Sequence, residues 1–70
     1  MKTKRDLQEA LKTAGLPYGN KKIIEWENNE IIKRPENVIK TLNGEIRLYT
    51  DEEIKNIVDQ VRLLYRNELI

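Results

Sequence analysis

Apolar residues recur along this chain at helical spacing near both ends and alternate with polar ones in between. Leu7, Ala10, Leu11 and Ala14 fall at i, i+3, i+4 and i+7, one stripe on a helix. Thr3 precedes them as a cap, with Asp6 three residues on in the position of a capping-box partner. Gly15 follows, where a helix end favours positive φ. The spacing predicts a first helix over about residues 4–14. Ile54, Ile57, Val58, Val61, Leu64 and Tyr65 repeat the stripe and predict a last helix over about 51–67. Thr50 caps it, and Asp51-Glu52-Glu53 complements the positive end of the helix dipole.

Between these helices, Gly15-Leu16-Pro17-Tyr18-Gly19 must turn, because two glycines and a proline cannot continue a helix. Asn20 then caps a second short helix over about 21–29, with Ile23, Ile24 and Trp26 as its apolar positions and Ile31 and Ile32 behind them. Arg34-Pro35-Glu36-Asn37 breaks the pattern again. Asn43-Gly44 is the sequence signature of a type I′ turn, which needs φ > 0 at both central residues. With those two residues as the loop, strands lie near 38–42 and 45–49, and Lys40 stands opposite Arg47. One hairpin face then carries Ile39, Thr41, Ile46 and Leu48, and the other Lys40, Arg47 and Tyr49. Like charges directly opposite repel, so this reading invites an anionic partner, and a phosphate backbone is the obvious one. The order helix, helix, hairpin, helix predicts a mainly α single domain over 1–70: a winged helix-turn-helix, with a glycine-bearing turn between its first two helices.

Composition narrows the function. Seventy residues without cysteine form one small domain, with no disulfide and no room for a large enclosed pocket. Histidine is also absent, which removes the usual catalytic base and the commonest metal ligand. There is no phosphate-binding glycine loop and no nucleophile beside a base, so no enzyme, cofactor or metal site is expected. Short apolar runs argue against a membrane span, and Met1-Lys2-Thr3-Lys4-Arg5-Asp6 against a signal peptide, so a cytoplasmic setting is expected. Net charge is only +1, but residues 1–50 hold ten Lys/Arg against seven Asp/Glu, and 51–70 hold three against five. That asymmetry assigns the contact surface to the first two thirds of the chain.

Two motifs resemble those of MerR-type regulators. Trp26-Glu27-Asn28-Asn29-Glu30-Ile31-Ile32-Lys33-Arg34-Pro35 is similar to that family's exit from the second helix. Asn43-Gly44-Glu45-Ile46-Arg47-Leu48-Tyr49-Thr50-Asp51-Glu52-Glu53-Ile54 is similar to its wing and following helix. The resemblance covers about residues 3–67. Glu30 replaces the family's glycine, which leaves Asn29 to make the turn, and Ile24 and Glu25 stand where Arg and Tyr are common. With no effector domain in these residues, the chain resembles the short relatives: excisionases and phage or plasmid regulators. The resemblance implies a sequence-specific double-stranded DNA-binding protein, a transcriptional regulator or DNA-architectural factor acting as a dimer or as cooperative copies, without a small-molecule effector. Two alternatives stand beside it: a winged-helix adaptor for another protein, and the DNA-binding fragment of a longer regulator.

The candidate DNA-contacting residues are Tyr18, Asn20, Lys21, Lys22, Glu25, Lys40, Arg47 and Tyr49. Arg47 either reaches phosphate or minor groove, or pairs with Glu45 or Glu27 as a strand residue. Tyr49 either donates to phosphate or packs where the wing meets the last helix. Lys21 and Lys22 add charge to a helix start that already favours anions, or are simply solvated. Asn20 suits adenine and Glu25 cytosine in the major groove; equally, Asn20 is a cap and Glu25 points to solvent. Tyr18 touches the DNA backbone or plugs the core. Glu27 braces the wing through Arg34 or Arg47. Leu63, Leu69 and Ile70, off the main stripe, form a partner patch or frayed ends.

Overall fold

A computed structural model describes residues 1–66 of the chain. Three helices and a three-stranded antiparallel sheet make a compact mixed α/β unit: β1 (Lys2–Thr3), α1 (Lys4–Thr13), α2 (Asn20–Asn28), β2 (Asn37–Thr41), β3 (Gly44–Tyr49) and α3 (Asp51–Arg66). The sheet order is β1-β3-β2. The expected succession of helices and hairpin is present, with β1 added at the front. Two residues are too few to carry a strand period; Lys2 and Thr3 become a strand by pairing with Tyr49 and Leu48.

Local hydrogen bonds close the starts of α1 and α3 and the ends of α1 and α2. At the start of α1, Thr3 and Asp6 form a reciprocal capping box. Thr50 and Glu53 repeat the device at α3: the Glu53 N–H donates to Thr50 Oγ1 at 3.0 Å, and the Thr50 N–H donates to Glu53 Oε1 at 2.8 Å. The other Glu53 oxygen accepts from the Glu36 N–H at 3.1 Å, which ties the segment before β2 to α3. The backbone donors Thr50 and Glu36 hold the Glu53 carboxyl below its ordinary range. At the end of α1, Leu16 N–H bonds to Leu11 O and Gly15 N–H to Lys12 O, with Gly15 at φ 74°. The end of α2 repeats this arrangement, Ile31 to Trp26 and Glu30 to Glu27. Here the left-handed residue is Glu30, at φ 59°, and not Asn29 as expected. The Schellman pattern requires positive φ one residue after the cap, and Glu30 occupies that place.

Leu7 and Leu11 of α1, Ile23 and Trp26 of α2, Ile32, Tyr49 of β3 and Ile54, Ile57, Val58 and Val61 of α3 form one core. The apolar stripes read from the sequence supply nearly all of it. Trp26 meets Tyr65 edge to face, with ring centroids 6.4 Å apart. Ile24 faces out, one step round the helix from Ile23.

The hairpin register differs from the expected one. Thr41 pairs with Gly44, Lys40 with Glu45, Ile39 with Ile46 and Val38 with Arg47. The loop is therefore Leu42-Asn43, and of the turn residues only Gly44 has positive φ, at 132°. Thr41 closes the loop early: its hydroxyl accepts from the Asn43 N–H at 3.3 Å and donates to Gly44 O at 3.0 Å. The freedom of Gly44 is used at the first residue of β3 rather than inside the loop. Partners shift by two residues, so the two faces keep their members. Lys40 no longer opposes Arg47; it opposes Glu45.

Candidate nucleic-acid interface

The α1–α2 turn gathers cations around the start of α2. Gly19 occupies the cap position and offers no side-chain acceptor, so Asn20 is the first helical residue rather than the expected cap. The Asn20 side-chain oxygen instead accepts from the Lys4 ammonium, which brings the start of α1 against the start of α2. Lys21 and Lys22 follow; Lys22 lies 3.9 Å from Glu25. The amide N–H groups of the first turn of α2 lack a side-chain cap, and a helix start so built favours an anion.

Tyr18 is exposed and plugs nothing in the core. The Gln8 amide donates to its carbonyl at 2.9 Å, and the Lys12 ammonium stands 5.8 Å from its ring centroid. Lys4, Gln8 and Lys12 are spaced i, i+4, i+8, one edge of α1 facing this turn. Lys4 thus lies beside Asn20 at the start of α2, and Lys12, about 12 Å along α1, beside Tyr18 in the turn. Sequence reasoning missed both lysines, although their spacing with Gln8 was visible. Lys21, Ile24, Glu25 and Asn28 form the exposed stripe of α2.

Two expected contacts belong to the interior. Arg47 Nη1 donates to both Glu27 oxygens, at 2.6 and 2.7 Å. Their side chains are only 14% and 5% exposed, so the guanidinium is neutralised and largely dry. Arg47 serves β3 by anchoring it to α2 and does not present a free charge to a phosphate. The other reading, pairing with Glu27, describes it. Tyr49 is fully buried and cannot touch an external ligand in this arrangement. Its hydroxyl has no hydrogen-bond partner among the described residues. Burial, followed by the charge of Glu27, raises its ionisation above the ordinary 10.0. Both residues point inward for one reason: β3 alternates, and the face carrying residues 47 and 49 covers the core.

Lys40 is exposed on the projecting part of the hairpin. Its cross-strand neighbour Glu45 is held by Arg34 at 3.2 Å. Leu63 is exposed on α3, while Leu69 and Ile70 lie outside the described residues. No group of metal-ligating side chains occurs among the described residues, and no helix there is long and apolar enough to cross a membrane. Compared with known proteins, the chain matches no family model, no curated sequence and no solved structure.

Proposed function

We propose that this chain is a sequence-specific double-stranded DNA-binding module, a winged helix-turn-helix of MerR-like kind. In this reading α2 enters the major groove, and the β2–β3 hairpin is the wing on the backbone or minor groove. The observation that carries it is the meeting of Lys4, Lys21 and Lys22 at the side-chain-uncapped start of a short helix, with Lys12 beside Tyr18 in the turn before it and Lys21, Glu25 and Asn28 on its exposed stripe. Phosphate binds at the helix start beside Lys21 and orients the stripe, from which Glu25 and Asn28 reach base edges. The Glu27–Arg47 pair fixes hairpin to helix, so both meet the duplex as one body. A module of this size covers roughly 600–1,000 Å², so two or more copies act together on a site, to regulate transcription or shape DNA. No cofactor or effector takes part.

Selection of bound sequences from a random duplex pool tests this. An enriched motif is expected, with binding that weakens steeply as salt rises. Lys21→Ala should lower the slope of log affinity against log salt by about 1. Failure to retain any duplex at low salt overturns the reading.

A second reading rests on a different surface. An open groove between residues 30–36 and α3 is lined by the acids Glu30, Glu36, Glu52, Glu53 and Asp59, with Lys33 and Arg34 among them. Its acids outnumber its bases, which suits a basic protein segment, as an adaptor would. A stable protein complex without DNA binding favours this second reading.

A further inference from the structure

We infer that Leu42 is an apolar wedge that enters the minor groove between base steps and unwinds the duplex, an assignment that rests on the DNA-binding reading above. The hairpin ends in a two-residue loop, and Leu42 at its apex is completely exposed, at 105% of its reference area. Behind it Ile39 and Ile46 face each other across the strands, 49% and 47% exposed. Aliphatic side chains at the outermost point of a domain do nothing for its core. The neighbours of Leu42 define the occupant. Lys40 supplies a cation two residues away, and Asn43 an amide next to it, both exposed. Glu45, the one acid on this part of the hairpin, is tied off by Arg34. A basic residue, an amide and a protruding aliphatic are the set that minor-groove proteins use to read groove edges and part a base step.

A second copy of the chain fits less well. Three aliphatic side chains on a convex ribbon fall short of the roughly 800 Å² per partner that a stable interface buries. The convex shape also lacks the concavity that an apolar peptide would need. The loop is braced: the Thr41 hydroxyl spans it to the Asn43 N–H and Gly44 O, and the base of the hairpin is held by the buried pair Glu27–Arg47.

Unwinding is measurable without knowing the target sequence. A closed circular plasmid is relaxed by a type I topoisomerase in the presence of the full chain at low salt, then stripped of protein and its topoisomers resolved. Retention of the same plasmid is measured in a gel, and sedimentation equilibrium is run without DNA. The wild type should leave the plasmid underwound. Leu42→Ser should still retain the plasmid but lose the shift in linking number; the side chain has no packing to lose, so the fold is kept. Retention by the wild type with no shift, or an undiminished shift with Leu42→Ser, overturns the wedge and leaves the DNA-binding reading standing. A dimer without DNA that Leu42→Ser dissolves also overturns it, in favour of a second copy. No retention by either protein overturns the DNA-binding reading itself.

Discussion

Two residues hold conformations or surroundings that their chemistry resists. Glu30 adopts φ 59°, where a side chain with a Cβ is disfavoured by about 1–2 kcal/mol. Glycine there removes most of that strain, less the extra freedom it gives the unfolded chain. Glu30→Gly should therefore stabilise the fold by about 1 kcal/mol, visible as a raised midpoint in thermal denaturation. Tyr49 presents the opposite case: its ring is ideal core material, and its hydroxyl is buried without a partner among the described residues. Tyr49→Phe should hold stability or raise it by about 1 kcal/mol, and should leave DNA affinity unaltered in a gel shift. The pH dependence has a definite sign. The folded chain holds the phenolic proton more tightly than the unfolded chain, so this contribution is intact below pH 10.0 and lost as pH climbs above it. Urea titrations on both sides of that pH should show wild type weakening more than Tyr49→Phe.

The hairpin owes its attitude to one buried ion pair. Removing one partner strands the other charge in a dry site, at about 3 kcal/mol or more. Arg47→Ala should accordingly weaken the domain by that amount in chemical denaturation, and a loss of DNA binding in that variant reports unfolding rather than a lost contact. Replacing both partners together, Glu27→Leu with Arg47→Met, should recover most of the stability, because two apolar side chains of similar volume replace two desolvated charges. If the double variant proves as weak as Arg47→Ala, the pair is not the hairpin's anchor. The helices were legible because each stripe, cap and glycine stop lies within a few residues. The hairpin's existence was legible from Asn43-Gly44, but its register was not. A threonine hydroxyl at Thr41 moved the loop by one residue, and with it every cross-strand partner.

Charge is distributed unevenly over the surface, and this matters more than the net value of +1. Lys4 meets the start of α2 and Lys12 the turn before it, while acids from residues 30–36 and α3 outnumber Lys33 and Arg34 in a groove. In the proposed complex the excess of acids in the groove disfavours DNA contact there relative to the lysine-bearing surface. The candidate site was half legible. Tyr18, Lys21, Glu25 and Lys40 are exposed, Lys22 is half-buried, and Asn20 is bonded to Lys4. Arg47 and Tyr49 were misassigned because alternation along a strand states which residues share a face, not whether that face is inside.

Local spacing determined the three helices, the core stripe on each and the presence of a hairpin, since periodicity and capping act over a handful of residues. Only the packed chain decided which hairpin face turned inward, which carboxylate neutralised Arg47, and that Lys4 would meet the start of α2 and Lys12 the turn before it. Those outcomes depend on contacts between residues far apart in sequence, where burial and charge pairing outweigh any nearest-neighbour preference.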